Sequence, residues 1–480
     1  MMQKFEKKDL KKKSVNLSEW YTDIILKAEL ADYAPVKGCM VIRPYGFAVW
    51  EKIQTFLDGL IKEKGVGNAY FPLLIPEKFL NLEKEHIEGF SPHLAVVTIA
   101  GGENLKEKLV IRPTSETVMY QMYKQWFHSW RDLPVLINQW NNVIRWEKRT
   151  YLFLRTSEFL WQEGHCAHLT EGENREMVLW GIKAYEKTYA ELLAMYGLIG
   201  IKSQTEKFAG AKETYSIELL MPDGKALQGG TSHDLGQNFS KAFDWTVLNK
   251  EGKKIHPWQN SWGFTTRSIG GLVMVNGDDN GLILPPRVAP IQTVIIAISS
   301  GENQKLAEYI EKIQGILEKS GVRVKSDNNI TASVGRRFND WEVKGVPIRL
   351  EIGQKEMEKE SVTFARRDNF DKGTVGIDQI EIKIKAILGE MQSLAYENHR
   401  KFTLDNTYKA DSYDQFKKIM TGKRGLIRAF WCEDKECEAK IKAETKATTR
   451  ILPLDAKKEK GKCIYCTKAA VNRWYFAQAY

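Results

Sequence analysis

The segment from Arg145 to His165, RWEKRTYLFLRTSEFLWQEGH, combines two arginines ten positions apart with acidic and aromatic neighbours. A guanidinium that is held in place binds a carboxylate or phosphate through two parallel hydrogen bonds. Short apolar runs on both sides of a basic stretch predict a strand, a basic loop and a return strand, which would aim Arg145 at a buried anion. The alternative is two surface ion pairs, Arg145 with Glu147 and Arg155 with Glu158.

Three further segments carry polar groups that suit a ligand site. They read Arg-Pro-Thr-Ser-Glu at 112–116, Gln-Gly-Gly-Thr-Ser-His at 228–233 and Thr-Thr-Arg-Ser-Ile-Gly at 265–270. A carboxylate and a hydroxyl suit a protonated amine, and paired glycines let the backbone approach a ligand closely. Taken alone, the first segment also suits a helix cap, the second a simple turn, and Trp161 a core position.

The six cysteines divide into two isolated residues, Cys39 and Cys166, and a group of four near the C-terminus. The group has the spacing Cys-x4-Cys followed by Cys-x2-Cys and consists of Cys432, Cys437, Cys463 and Cys466. Four thiolates suit a closed tetrahedral site, so a structural zinc ion is predicted. Four free thiols are the alternative, since the first gap is wider than the commonest two-residue spacing.

These segments, in this order, resemble the motifs of class II aminoacyl-tRNA synthetases, and specifically those of prolyl-tRNA synthetases of the archaeal and eukaryotic-like type. The resemblance extends from about Leu17 to Tyr480. It implies that L-proline attacks the α-phosphorus of ATP to give prolyl-adenylate and pyrophosphate, and that the terminal ribose hydroxyl of tRNA-Pro then accepts the prolyl group. Positioning and charge stabilisation dominate the catalysis of such a transfer.

The resemblance also implies roles for individual residues. Arg145 and Arg267 would be catalytic, because they would hold the substrate carboxylate and the α-phosphate together. The residues implied in ATP binding are Arg145, Glu147, Arg155, Phe159, Gln228, Thr231 and Arg267. The residues implied in proline binding are Thr114, Glu116, Arg145, Trp161, Glu163, His165 and His233. Mg²⁺ would screen the triphosphate, with Glu147 and Glu218 as candidate ligands.

The middle of the chain resembles the anticodon-binding domain of these enzymes. Glu342, Arg349 and Lys355 match positions that read the guanines of the proline anticodon, and such groups suit unpaired guanine edges. Gln354 and Glu356 stand where the family usually has proline and aspartate, which puts a role for Glu356 in doubt. A solvated strand edge is the alternative for these residues.

Three more expectations follow from the resemblance. The helix and strand around Gly38 to Ile53 would form a homodimer interface, and the carboxylate of Tyr480 would fold back toward the active site. The stretch between Arg155 and Arg267 has no room for the large editing insertion of bacterial-type relatives. Because a pocket discriminates against one missing methylene by only about 1–3 kcal/mol, mischarging with alanine or cysteine is expected.

The chain has 480 residues, with 71 Lys and Arg against 61 Asp and Glu and a formal net charge of +10. This excess suits a polyanionic partner such as tRNA. A hydrophobic share of 43% and a charged share of 28% are typical of a globular protein and exclude a disordered one. Because no apolar run reaches the length of a signal or a membrane span, a cytoplasmic protein without a membrane partner is expected.

An α/β fold of about three domains must position these groups. We expect a flexible basic tail at 1–16, a catalytic domain at 17–287, an anticodon-binding domain at 288–395 and a zinc-binding domain at 396–480. The resemblance implies an α+β catalytic domain on an antiparallel sheet flanked by helices, and a small α/β domain at the C-terminus. Apolar periodicity predicts helices at 17–31, 46–64 and 176–195, and alternating strands and helices over 292–352 predict a largely parallel sheet.

Three other functions are compatible with parts of the sequence. A threonyl-tRNA synthetase would carry a catalytic zinc on histidine and cysteine in its pocket, whereas the four cysteines here lie far downstream. A non-catalytic tRNA-binding paralogue would not need the full set of Arg145, Arg155, Arg267, Glu116 and His233. A zinc-bearing nucleic-acid binder would explain the cysteines but would leave the large N-terminal part without a role.

Overall fold

Residues 10–80, 94–299, 303–329 and 331–480 are described by a computed structural model. One sheet of eleven strands runs through the N-terminal and C-terminal parts of the chain, and a sheet of five strands forms the part between them. Helices and strands are interspersed along the chain. The predicted mixed α/β fold with an antiparallel catalytic sheet is confirmed.

The first domain supplies most of the large sheet. Its helices are α1 (Leu17–Lys27), α2 (Pro44–Glu63), α3 (Glu77–Leu80), α4 (Glu116–Trp126), α5 (Glu171–Lys187), α6 (Asn238–Ala242) and α7 (Arg267–Val275), with a 3-10 turn at Trp130–Asp132 and a π-helical turn at Thr188–Leu192. Its strands are β1 (Ala31–Tyr33), β2 (Met40–Ile42), β3 (Gly67–Asn68), β4 (Leu74–Pro76), β5 (Ala95–Ala100), β6 (Glu103–Ile111), β7 (Val135–Ile144), β8 (Glu158–His168), β9 (Gly197–Ile201), β10 (Glu213–Leu220), β11 (Ala226–Gly236), β12 (Val247–Leu248), β13 (Lys254–Ile255), β14 (Trp258–Thr265), β15 (Gly277–Asp278) and β16 (Gly281–Leu282).

Six antiparallel strands form the centre of the large sheet, in the order β9-β10-β11-β14-β8-β7. The register places Gln139 of β7 opposite Glu163 of β8, and Thr214 of β10 opposite His233 of β11. Alternate residues of a strand share one face of a sheet. This register therefore collects polar side chains from several neighbouring strands on one face.

The amphipathic helices form close to where apolar periodicity predicts them. α2 begins at Pro44, whose fixed φ suits a first helical position. Its buried face carries Gly46, Val49, Trp50, Ile53, Leu57 and Ile61. α5 begins at Glu171 rather than at 176, because Thr170 and Glu173 form a capping box. α1 ends at Lys27 rather than at 31, since the chain turns at Glu29 (φ 61°) into β1.

The predicted flexible tail at 1–16 is described only from Leu10, and residues 1–9 lie outside the described part of the chain. Lys13 Nζ donates a hydrogen bond to the carbonyl oxygen of Gly277 at 2.7 Å, and Ser14 Oγ donates to Asp279 Oδ2 at 2.7 Å. The part of the predicted tail at 10–16 is therefore bound to the catalytic domain, which the sequence did not indicate.

The second domain contains the five-stranded sheet. Its elements are β17 (Thr293–Ile298), α8 (Gln304–Lys319), β18 (Val324–Asp327), α9 (Val334–Lys344), β19 (Ile348–Gly353), α10 (Gln354–Glu358), β20 (Ser361–Arg366), β21 (Lys372–Gly376) and α11 (Ile380–Asp405), with a 3-10 turn at Ile377–Gln379. The order β18-β17-β19-β20-β21 is parallel for the first three strands and antiparallel for the last two. The predicted largely parallel sheet is thus a mixed one, and α11 continues past the predicted boundary at 395.

The third domain extends the large sheet. Its elements are β22 (Thr407–Lys409), α12 (Tyr413–Thr421), β23 (Leu426–Phe430), α13 (Lys435–Thr445), β24 (Ala447–Pro453), β25 (Gly461–Lys462), β26 (Ala469–Ala470) and β27 (Arg473–Gln478). β24 pairs with β9 through Leu452 opposite Ile201, so the sheet is continuous between the first and third domains. None of the helices among the described residues is long and apolar enough to cross a membrane.

Candidate active site

A cavity lies over the centre of the large sheet. Most of the predicted site residues line it: Thr114, Glu116, Arg145, Phe159, Trp161, Glu163, His165, Gln228, Thr231, His233 and Arg267. They come from β8, β11, the segment that precedes α4, the end of β7 and the start of α7. Segments that are far apart in the sequence therefore meet at one site because their strands are neighbours in the sheet.

Glu163 lines the cavity and is buried. Its carboxylate accepts hydrogen bonds from Ser115 N at 3.1 Å, Gln139 Nε2 at 3.1 Å, Asn141 Nδ2 at 2.7 Å and His165 Nε2 at 3.0 Å. Burial alone would raise the pKa of Glu163, but these hydrogen bonds and the charge of His165 outweigh it and lower the pKa to about 2. The carboxylate therefore stays ionised at the bottom of the cavity.

Thr114 and Glu116 lie beside Glu163. The Thr114 hydroxyl donates to the Glu116 carboxylate, and both side chains are buried. Ser115 occupies the N-cap position of α4 but makes no side-chain capping bond, so the segment does not act as the ordinary helix cap that was its alternative interpretation. Ligand atoms of Glu116, Glu163 and His165 lie within 4.8 Å of one another, which suits a compact cationic group.

The pKa values of the two histidines in the cavity are shifted in opposite directions. Burial lowers the pKa of His165, but the charge of Glu116 and the hydrogen bond to Glu163 raise it by more, and the pKa lies above its ordinary value. Burial, together with the charges of His165 and Arg145, lowers the pKa of His233 to about 3, so its ring is neutral at pH 7. His233 is held by Thr214 Oγ1 and Thr231 Oγ1, each at 3.0 Å from a ring nitrogen.

Two arginines, Arg145 and Arg267, line the same cavity. Arg145 Nε donates to the carbonyl oxygen of Pro113 at 3.0 Å, and its guanidinium carbon lies 5.4 Å from the Trp161 ring centre and 5.6 Å from that of Phe159. Burial lowers the pKa of Arg145 to about 10, which leaves it charged at pH 7. Arg267 begins α7 and donates through Nε to the carbonyl oxygen of Leu154 at 3.1 Å.

Glu147 and Arg155 lie outside the cavity lining. Arg155 Nη2 contacts Glu147 Oε2 at 2.7 Å, and the Arg155 side chain is 53% exposed. The surface ion pair suggested by the sequence thus exists for Arg155, although its partner is Glu147 and not Glu158. Glu158 instead accepts a hydrogen bond from Asn142 Nδ2 at 2.7 Å. Arg155 also precedes β8, whereas the sequence placed it at the start of the return strand.

Sequence reasoning missed several residues of the site. Ser115, Gln139 and Asn141 hold Glu163, and the polar run Asn-Gln-Trp-Asn-Asn at 138–142 within a strand was the available signal. Phe208, between β9 and β10, stacks on the His233 ring at 4.4 Å and 28°. Glu206 and Lys207 also line the cavity. No local pattern indicated the segment 206–208, because its position depends on distant contacts.

Glu218, a candidate magnesium ligand, lies elsewhere. It is buried, and its carboxylate contacts Lys202 Nζ at 3.1 Å and Arg450 Nη2 at 2.6 Å. Burial would raise its pKa, but Arg450 and Lys202 lower it below the ordinary value. Because two cations already engage this carboxylate, it does not fit a magnesium ligand.

The predicted anticodon residues are only partly brought together. Arg349 Nη1 donates to Glu342 Oε1 at 2.8 Å, and both line a cavity beside β19. The Arg349 guanidinium also lies 3.9 Å from the Phe338 ring centre and contacts Glu351 Oε1 at 2.9 Å. Lys355 lies on α10, is exposed, and is not part of that cavity.

The four predicted zinc ligands cluster in the third domain. Cys432 Sγ lies 3.7 Å from Cys437 Sγ and 3.6 Å from Cys466 Sγ, and all four sulfurs, with Cys463, lie within 4.8 Å of one another. A tetrahedral zinc with bonds of about 2.3 Å would separate its sulfurs by about 3.8 Å. A disulfide would require about 2.05 Å, so the observed spacing fits a metal site and not a disulfide.

Comparisons with known proteins agree with this geometry. Three family models match the chain: the tRNA synthetase class II core domain (G, H, P, S and T) over 98–276, the anticodon binding domain over 292–387, and the prolyl-tRNA synthetase C-terminal domain over 413–480. Proline–tRNA ligase 2 of Clostridioides difficile is 48% identical over 98% of this chain and 98% of its own length. The proline–tRNA ligase of Natranaerobius thermophilus is 49% identical over 96% of this chain and 95% of its own length.

A solved structure extends the likeness to the whole fold. The crystal structure of prolyl-tRNA synthetase from Cryptosporidium parvum, complexed with halofuginone and AMPPNP, superposes with a TM-score of 0.94 at 41% identity. The match covers 98% of this chain and 99% of that one. With the class II core, the anticodon-binding module and the cysteine-bearing C-terminal domain in one continuous match, the chain belongs to the prolyl-tRNA synthetase family.

Proposed function

We propose that this chain is a proline–tRNA ligase, which activates L-proline with ATP and transfers the prolyl group to the 3′ end of tRNA-Pro. The observation that carries the proposal is the charge pattern of the cavity lining. Two carboxylates, of Glu116 and Glu163, and two guanidinium groups, of Arg145 and Arg267, line the same cavity. An amino acid with a protonated secondary amine and a carboxylate fits a cavity that offers both kinds of group.

The ring of proline would lie against the aromatic wall. The amine would donate to Glu116 and Thr114, while Glu163 holds His165 and the floor of the cavity in place. Trp161 and Phe208 offer flat apolar surface to the methylene groups of the pyrrolidine ring. Neutral His233 would donate or accept a hydrogen bond without adding a charge that repels the amine.

Arg145 and Arg267 would position the nucleotide. Arg145 would contact both the proline carboxylate and the α-phosphate, which overcomes the repulsion between the two anions and stabilises the charge that develops at phosphorus. Phe159 and Arg267 would enclose the adenine ring from its two faces. Gln228 and Thr231 also line the cavity and would bind the nucleotide. Arg155 would reach the phosphates only if its ion pair with Glu147 opens.

Two metals complete the proposal. Mg²⁺ would accompany ATP and offset the triphosphate charge, and of the two candidate carboxylates Glu147 would be available once its ion pair with Arg155 opens. Zinc would be held by Cys432, Cys437, Cys463 and Cys466 and would stabilise the fold of the third domain. The sulfur spacing supports a closed site without an open ligand position.

The proposal also includes the family type, the cellular location, the oligomeric state and the anticodon-reading residues. We infer an archaeal and eukaryotic-like type without an editing domain, since β8 to β14 of the catalytic domain occupy the chain between Arg155 and Arg267. The chain would act in the cytoplasm as a homodimer and would read the tRNA-Pro anticodon with Glu342, Arg349 and Lys355. The match over whole ligases does not favour the non-catalytic alternative.

The test is ATP–pyrophosphate exchange with each of the twenty amino acids, without tRNA. Proline-dependent exchange that is lost in Arg145→Ala is expected. Exchange with none of them, in a folded protein that still binds tRNA, would refute the proposal in favour of a tRNA-binding paralogue. Weak exchange with alanine, and no deacylation of alanyl-tRNA-Pro by the purified protein, are expected from the absence of an editing domain.

A further inference from the structure

The segment between β9 and β10, here called loop 202–212, forms one wall of the cavity. Phe208 stacks on His233, and Phe208 N donates to Thr214 Oγ1 at 2.9 Å. Thr214 Oγ1 in turn lies 3.0 Å from His233 Nδ1. The position of the loop therefore determines where the Phe208 ring meets a ligand.

The other side of loop 202–212 contacts the third domain through a buried carboxylate. Glu438 of α13 is only 4% exposed. It accepts hydrogen bonds from the hydroxyls of Thr205 and Thr449, and from Thr449 N at 3.2 Å. The Thr449 hydroxyl also lies 2.9 Å from Ser203 Oγ. One carboxylate thus joins a helix of the third domain, a strand of the third domain and the loop.

A buried ion cluster fixes the first residue of the same loop. Lys202 contacts Glu218 of β10, which also contacts Arg450 of β24. All three side chains are buried. The loop is therefore attached to the third domain at Lys202, Ser203 and Thr205, within a few residues of Phe208.

We propose that Glu438 is a positioning residue for the amino-acid site: it acts through Thr205 to place Phe208 against the bound amino acid. A buried carboxylate is tolerated only when its hydrogen bonds are satisfied, so it strongly favours the one loop conformation that brings Thr205 to it. Phe208 follows Thr205 by three positions, a span of at most about 11 Å, so this constraint extends to the ring. The proposal rests on the proposed function only for the identity of the ligand as proline.

The test uses two variants and a matched control in the full chain. Glu438→Gln and Thr205→Val each remove the charged hydrogen bond between α13 and the loop. Glu444→Gln is the control, because Glu444 is on the same helix and also accepts from two hydroxyls, those of Tyr413 and Tyr465, but within the third domain. Two quantities are measured: amide hydrogen exchange of the peptide covering 203–212, and the KM for proline in pyrophosphate exchange.

Amide exchange at 203–212 is expected to be about tenfold faster in both variants, since a hydrogen bond to a charged group is lost. The KM for proline is expected to rise about 3- to 10-fold, while kcat and the KM for ATP stay within about twofold. The double variant should match Glu438→Gln, because Thr205→Val acts on a contact that Glu438→Gln has already deprived of its charge. The control should match the unmodified protein in both measurements.

Unchanged amide exchange at 203–212 in both variants would overturn the proposal whatever the activity. Faster exchange with an unchanged KM for proline would overturn it as well, because the loop would then not bear on the site. Equal losses in the KM for ATP, the KM for proline and kcat would indicate general damage and would also count against it. If the unmodified protein shows no proline-dependent exchange, the proposed function fails, and the hydrogen-exchange comparison still decides whether Glu438 positions the loop.

Discussion

Replacing Glu163 by glutamine tests how much the buried Glu163 carboxylate and its hydrogen bonds stabilise the fold. The pKa of Glu163 falls from the ordinary 4.5 to about 2 in the folded protein. That difference corresponds to about 3 kcal/mol of folding stability at neutral pH. Glutamine keeps the shape but directs an amide N–H₂ group at donors such as Asn141 Nδ2, so most of this stabilisation should be lost.

The sign of the pH dependence follows from the direction of the pKa shift. A carboxyl whose pKa is depressed in the folded state stabilises the protein fully above its unfolded pKa, near 4.5, and loses that contribution as the pH falls toward about 2. The part of the stability difference that comes from Glu163 itself should therefore narrow as the pH falls below about 5.

The assay is amide hydrogen exchange on the peptide that covers β8, which reports local opening without assuming two-state unfolding. Protection should fall by about 100-fold in Glu163→Gln. Glu158→Gln is the control, because Glu158 lies on the same strand and its carboxylate accepts from Asn142 Nδ2 at 2.7 Å outside the cavity. A loss of protection that is equal in the two variants, or a difference that is as large at pH 3 as at pH 7, would refute this account of Glu163.

Three further outcomes are expected. Cys466→Ser should lower the bound zinc from about one ion per chain and reduce the thermal stability of the third domain, as measured by metal analysis and calorimetry. Deleting Tyr480 should lower the rate of pyrophosphate exchange, because Tyr480 N donates to the carbonyl oxygen of Ala226 at 3.3 Å, at the start of the strand that carries Gln228 and Thr231; an unchanged rate would contradict this. Arg349→Ala should raise the KM for tRNA about tenfold and leave tRNA-independent exchange unchanged, whereas Arg336→Ala, which removes only an exposed ion pair, should change neither.

The residues that carry chemistry were predictable where a motif contains them. Thr114, Trp161 and His233 belong to separate segments, and the family resemblance alone indicated that the three would meet. The elements were predictable where apolar spacing is strong, as in α2 and β17. Spacing of that kind reflects burial on one face, which is a local property of the sequence.

The partners of the site residues were not predictable in the same way. Gln139 and Asn141 are two positions apart on β7, as polar residues on a solvent-exposed face of a strand would be. Such spacing does not show whether that face contacts water or a buried polar cavity. Their function depends on the register with β8, which places Gln139 opposite Glu163. The partner of Glu147 was missed for a related reason. The loop between β7 and β8 brings Arg155 into contact with Glu147, and Glu158 accepts a hydrogen bond from Asn142 instead.

The third domain is the clearest case of a long-range determinant. The sequence presents it as a separate cysteine-bearing module, yet β24 pairs with β9 and Arg450 contacts Glu218 inside the catalytic domain. Without the third domain, β9 would become an exposed sheet edge. Glu218 would also lose Arg450 and would keep its ion pair with Lys202. Loop 202–212 would also lose Glu438 and Thr449 at the point where it approaches the cavity. The catalytic domain therefore depends on the C-terminal domain for part of its own sheet and for one wall of its site.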